Sequence, residues 1–114
     1  MNLPLLEEFH AAYESDLWPM RGAFLVGCFA CPLTALAIRR GVVDRNDSRL
    51  ELNDEENPVF LWACDEFGAV WVHGFMNGFD DEDRAESDSD YSAGYELGSL
   101  ALEQLLPRDE RFST

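Results

Sequence analysis

Four glycines constrain this chain more than any other feature, because they come as two matched pairs. Gly74 and Gly78 are four residues apart, as are Gly94 and Gly98, within two near-copies of one pattern: Phe75-Met76-Asn77-Gly78-Phe79 and Tyr91-Ser92-Ala93-Gly94-Tyr95. On a helix each pair lies on one face and strips it of side-chain bulk. Glycine within a helix costs about 0.5–1 kcal/mol relative to alanine, so four of them require a compensating contact. Close backbone approach supplies one, since a glycine face lets a second helix come nearer than the usual axis separation of about 8–10 Å. Phe75, Phe79, Tyr91 and Tyr95 would flank that contact. The same spacing drives dimerisation of membrane helices, but there it sits in a long apolar span, whereas acids adjoin it here. The motifs predict a helical hairpin with residues 80–90 at its tip.

That tip is the most acidic part of a very acidic chain. The formal net charge is -15 over 114 residues, and Asp80-Asp81-Glu82-Asp83-Arg84-Ala85-Glu86-Ser87-Asp88-Ser89-Asp90 contributes seven acids against one arginine. One reading is a solvated loop that aids solubility. The other is an interaction surface formed by Asp80, Asp81, Glu82, Asp83, Glu86, Asp88 and Asp90, extended by the second cluster Asp54-Glu55-Glu56. Glu51, Asp65 and Glu66 would add to it if the fold brings them alongside. Duplex DNA carries one charge per about 1.7 Å of axis, so a dense carboxylate ridge can fill a cationic groove built for nucleic acid. Charge of this sign favours fast association with basic partners. It argues against direct binding of nucleic acid or of an anionic membrane, both of which need a positive footprint.

Core material is ample. The chain is 46% hydrophobic with eight Phe, three Trp and three Tyr, unlike a disordered acidic segment. Its length suits one domain, residues 1–114, around a single core. Helix signals outweigh strand signals. Pro4 suits a first helical position, Leu5, Leu6, Phe9, Ala12 and Tyr13 follow on one face, and Asp16 to Pro19 closes the element. Ala23 to Ala30 reads equally as a short strand or a buried helix. Cys31-Pro32 opens a helix that Arg39, Arg40 and Gly41 end. Val42-Val43 and Leu50-Glu51-Leu52 can pair as a small hairpin around 42–52, with Arg45-Asn46-Asp47-Ser48 as its turn. Val59 to Val72 favours helix, with strands about Gly68 as the alternative. The fold expected is mainly α: a small helical bundle containing a glycine-faced hairpin. The apolar stretch Ala23 to Ile38 contains Pro32 and is short for a span of about 20 residues, so it reads as core.

Three motifs together resemble a group of small uncharacterised bacterial proteins. They are Cys31-Pro32-Leu33-Thr34-Ala35-Leu36, then Gly74-Phe75-Met76-Asn77-Gly78-Phe79-Asp80, then Tyr91-x-x-Gly94-Tyr95-x-Leu97-Gly98. The resemblance covers about half the chain, and Asp44 to Asn57 has no counterpart in it. It implies a helical domain and brings no activity and no functional residue.

Other chemistry finds less support. An EF-hand needs acids at fixed loop positions and a glycine at the sixth. Starting at Asp81 puts Ala85 and Glu86 in the wrong places, and starting at Asp80 puts Arg84 among the ligands. Cys28-Phe29-Ala30-Cys31, with Cys64 and His73, has the residue types of a Cys3His zinc site, but no second C-x-x-C accompanies it. A helix start at Pro32 would favour a thiolate at Cys31. Against this, apolar neighbours suit buried thiols, and His73 between Val72 and Gly74 reads as a core histidine. Three cysteines with no export signal suit a reducing cytoplasm. The expectation is a non-catalytic cytoplasmic interaction protein without cofactor, whose partner is a basic protein such as a nucleic-acid-binding enzyme or complex. Its most specific form is a nucleic-acid mimic of the phage or mobile-element anti-defence type. An immunity-type inhibitor of a basic toxin, anchored by Trp18 or Phe112, is the first alternative. A metal-binding regulatory domain using Cys28, Cys31, Cys64 and His73 is the second.

Overall fold

The glycine pairs lie on two neighbouring helices that run parallel, not as the hairpin expected. Gly74 meets Tyr91 and Gly78 meets Tyr95, while Gly94 meets Trp71 and Gly98 meets Phe75, so partner numbers rise together along both. Residues 80–90 lead back along the pair, with Glu82 against Tyr95 and Ala85 against Tyr91, rather than forming a tip. The computed structural model describes residues 3–14, 17–20 and 23–106. Among these the order is α1 (Leu6–Ala12), β1 (Trp18–Pro19), β2 (Leu25–Val26), β3 (Phe29–Ala30), α2 (Pro32–Arg39), α3 (Pro58–Phe67), α4 (Ala69–Phe79) and α5 (Ser89–Leu105). The protein is a small, mainly helical domain around one core, with a three-stranded sheet beside it. Among the described residues no helix is long and apolar enough to cross a membrane.

The contact between α4 and α5 is backbone against backbone, and it is reciprocal. Positions where side chains of Gly74 and Gly78 would begin are filled by the main chain of Tyr91 and of Tyr95 with Ser99. Those of Gly94 and Gly98 are filled by the main chain of Trp71 with Phe75 and of Phe75 with Phe79. Each aromatic carbonyl of one helix thus abuts a glycine of the other. The four repeated units are Trp71-x-x-Gly74, Phe75-x-x-Gly78, Tyr91-x-x-Gly94 and Tyr95-x-x-Gly98. Such proximity permits Cα–H···O contacts along the seam, each worth about 0.5–1 kcal/mol.

The aromatic side chains of α4 build the core on the flank of this seam. Phe75 stacks with Trp71 at 5.3 Å and with Phe9 of α1 at 5.1 Å, and Phe67 of α3 leans on Trp71 at 5.3 Å. Phe79 continues the row. Two ties close α1 over the bundle: Glu8 pairs with Arg40 at 2.9 Å, and His10 bonds Gln104 at 2.7 Å. The first helix begins at Leu6 rather than at Pro4, because Leu5 is extended and its N–H is taken by the Glu8 carboxylate. Asp16 lies outside the described residues.

Local chemistry sets the remaining boundaries. Pro32 occupies the first turn of α2, and Gly41, at φ +74°, ends the segment as anticipated. Asn57 caps α3 by accepting from the Val59 N–H at 2.8 Å. Gly68, at φ +93°, then divides the long apolar run into α3 and α4, so the helical reading of 59–72 holds. The run 23–30 is the strand pair β2 and β3, which turns at Gly27 and pairs Leu25 with Ala30 and Val26 with Phe29. Nothing in the sequence marks Trp18 and Pro19 as a strand, yet β1 lies parallel to β3 on its other side.

The hairpin expected around 42–52 is absent. Ser48–Glu51 forms a single 3₁₀ turn instead, and the residues around it have no strand partners. Asp44 accepts from the Asn46 N–H and Asp47 from that of Arg49, so short acids take backbone donors a ladder would need. Buried Asn57 then claims the Leu50 and Leu52 carbonyls at 2.9 and 2.7 Å. Those bonds fix Leu50 in the core as part of a loop.

Candidate acidic docking site

The connection between α4 and α5 is acidic, exposed and anchored. Residues 81–90 are all exposed, and Asp80 is half-buried at the end of α4. Backbone bonds from Asp80 N–H to Met76 and from Glu82 N–H to Asn77 carry the chain out of the helix. Asp81 adopts φ +60°, a conformation that aspartate tolerates better than most residues. At the far end Asp88 caps α5 by accepting from the Asp90 N–H at 2.8 Å, where acid also suits the helix dipole.

Two tyrosines of the second motif hold the middle. The buried Tyr91 hydroxyl accepts from the Asn77 side-chain amide at 2.7 Å and from the Ala85 N–H at 3.1 Å. The Tyr95 hydroxyl donates to the Glu82 carbonyl. Arg84, the one cation of the run, lies 4.9 Å above the Tyr95 ring and donates to the Ser92 hydroxyl. Its charge is thereby turned towards α5, while Glu82, Asp83 and Glu86 stay in solvent. The aromatic positions that looked like packing alone thus also fix the loop. The signal was their hydroxyl: the first motif has Phe75 and Phe79 where the second has Tyr91 and Tyr95.

The second acidic cluster reaches this region in part. Asp54, Glu55 and Asp80 line a cleft of about 300 Å3 beside α4, whereas Glu56 does not line it. Asp54 also accepts from the Glu56 N–H at 2.9 Å, which shapes the turn before α3. The walls of the cleft are apolar: Phe24, Phe60, Phe75, Met76 and Phe79. His73 and Asn77 add polar atoms from α4, and among the described residues no arginine lines it. On that helix His73, Met76, Asn77 and Asp80 follow the spacing of one face. This stripe within an otherwise apolar helix was the legible sign of the cleft. Glu51 belongs elsewhere, beside Arg45 and Asp47 near the 3₁₀ turn.

His73 is not a core residue. It is exposed, with its ring edge against Phe60 at 5.8 Å, because the cleft opens beside it. Cys31 also lines the cleft, but Cys28 and Cys64 do not. Among the described residues no three or more His, Cys, Asp or Glu side chains gather as metal ligands, so Cys28, Cys31, Cys64 and His73 are not brought together. The thiolate expected at Cys31 is also disfavoured. Burial pushes its thiol up and Asp80 adds to the effect, outweighing bonds from the Thr34 hydroxyl and the Leu33 and Thr34 N–H groups. Burial raises Cys64 too, with Glu55 nearby. No family model, curated protein or solved structure matches this chain.

Proposed function

We propose that this protein is a non-catalytic binding protein that presents its carboxylates to a basic site on a partner protein. In the most specific form it stands in for nucleic-acid phosphate, as an inhibitor carried by a phage or mobile element against a nuclease or DNA-binding defence complex. The observation that supports this reading is the anchoring of the acidic run by Tyr91, Tyr95 and Arg84. A loop serving solubility alone needs no such ties. Anchoring lowers the entropy lost on binding, and the summed charge steers a cationic partner inward. The test is to replace Asp81, Glu82, Asp83 and Glu86 with Asn or Gln and capture partners from source-cell lysate. Wild-type capture of a nucleic-acid-binding protein should fail in high salt, be competed by duplex DNA, and vanish in the variant. Identical capture by the variant would sink the proposal.

A second reading, the immunity-type inhibitor, draws on a different surface. Trp18, Phe29 and Val26 lie in register across the three strands and are 62%, 47% and 55% exposed. An exposed apolar stripe of this kind, with two aromatic residues, suits an anchor whose contribution persists in salt. Phe112, the other anchor considered, lies outside the described residues. Salt-resistant capture of one partner, lost in a Trp18→Ala variant, would favour this alternative.

A further inference from the structure

The cleft beside the acidic loop has a composition that selects its occupant. Its walls include Phe24, Phe60, Phe75, Met76 and Phe79, and its charged residues among those described are Asp54, Glu55 and Asp80. At about 300 Å3 it lies at the small end of ligand pockets, closer to one long side chain than to a cofactor. The exposed carboxylates of Asp54 and Glu55 oppose an anion. Among the described residues no three His, Cys, Asp or Glu side chains gather there as ligands, so a bare metal ion finds no chelating set. The α2 N-terminus, which also borders the cleft, does not reverse this preference, because the Leu33 and Thr34 N–H groups are directed to Cys31. The group that satisfies both parts is a cation on an apolar stem.

We infer that this cleft seats an arginine side chain projected by the basic partner, an inference that rests on the docking role proposed above. Charge complementarity selects the cation, and the aromatic walls select guanidinium over ammonium. Guanidinium is more weakly hydrated, stacks on rings, and presents a planar fork to carboxylates. The cleft is continuous with the acidic run, since Asp80 is both a wall residue and the first acid of that run. One basic surface can therefore lay its general charge along residues 81–90 while a single arginine enters beside Asp80. In this arrangement the loop provides attraction and the cleft provides register.

The probe is the blocked tripeptide acetyl-Gly-Arg-Gly-amide, titrated into isotopically labelled full-length protein at about 0.15 M salt, where the Debye length is about 8 Å. Saturable NMR shifts should appear at Met76, His73 and Phe60. The neutral citrulline isostere should produce none, and the lysine analogue should bind about tenfold more weakly. Asp54→Asn with Glu55→Gln lies in an exposed turn and should weaken the arginine peptide about tenfold with unchanged circular dichroism. The variant neutralised at 81, 82, 83 and 86 should bind the peptide within about twofold of wild type. Absence of saturation, equal binding of citrulline or lysine, or shifts confined to residues 81–90 would each overturn the cleft assignment. Those results would leave the loop's capture of a partner standing. Conversely, peptide binding in the cleft together with unimpaired capture by the loop variant would refute the docking role of the loop alone.

Discussion

Gly94→Ala tests the backbone seam that joins the parallel helices α4 and α5. A methyl group there would stand 2.9 Å from the Phe75 nitrogen and 3.1 Å from the Trp71 carbonyl carbon, and closer still to the Trp71 oxygen. Carbon–oxygen contacts between helices normally settle at about 3.3–3.6 Å, so relief requires α4 and α5 to part by roughly 1 Å. No rotamer change can absorb this, because the opposing atoms are main chain. Overpacking of this kind costs about 1–3 kcal/mol, and parting also loosens the contacts at Gly74, Gly78 and Gly98. Alanine returns about 0.5–1 kcal/mol of helix propensity, leaving a net loss of about 1 kcal/mol. For a urea slope of about 1–3 kcal/mol per molar, the midpoint should fall by about 0.5 M, read by circular dichroism. The control is Ala93→Gly at the exposed neighbouring position, which should cost only the propensity difference of about 0.5–1 kcal/mol. If propensity alone governed α5, the two substitutions would have opposite signs. A Gly94→Ala protein as stable as wild type, or more so, would refute the seam.

Three further outcomes follow from the same geometry. Asn57→Ala leaves the Leu50 and Leu52 carbonyls and the Val59 N–H without their partner, and should destabilise by about 3 kcal/mol in urea titration. A loss below about 1 kcal/mol would mean that those groups find water instead. Tyr91→Phe should abolish amide-exchange protection at Ala85 while α5 stays protected, since the lost hydroxyl serves the loop; unaltered exchange would remove the anchor from the account. Asp47 is held down to about 2 by the Arg49 side chain and then by the Arg49 N–H. Its folded value lies below the ordinary aspartate value, so its stabilising contribution is complete above that value and fades as pH falls towards 2. Carboxyl NMR titration should show that low midpoint in wild type and an upward shift in Arg49→Ala.

Where the sequence was legible, one local cause acted without competition. Two matched glycine pairs have little reason to bare a helix face unless another backbone meets it, and the seam uses all four. Pro32, Gly41, Pro58 and Gly68 likewise mark boundaries because each restricts or frees the backbone at its own position. The 42–52 segment misleads because its β-branched and leucine residues suggest strands, while a residue beyond the segment decides the outcome. Asn57 takes the carbonyls of Leu50 and Leu52, and no pattern within 42–52 announces that. The β1–β3 pair is hidden for a similar reason. A two-residue strand has no periodicity, and parallel pairing joins residues that are distant in sequence.

The acidic run was visible as composition, but its anchoring depends on which atoms of α5 face it as it passes back along the parallel pair. A phenylalanine at 91 would preserve the packing motif and remove the bonds to Asn77 and Ala85. The cleft shows the same division. Its charged residues come from two clusters that are separate in sequence, Asp54-Glu55 and Asp80, joined by the turn at Gly68 that folds α3 back beside α4. Charge counts weigh all twenty-three acids alike. Folding makes them unequal: some cap turns, some remain in solvent, and three border apolar walls. In the arginine-seating proposal it is this last group whose surroundings distinguish one cation from another. Selectivity should therefore be sensitive to Asp54 and Glu55, while the rate of encounter follows the charge of the whole loop.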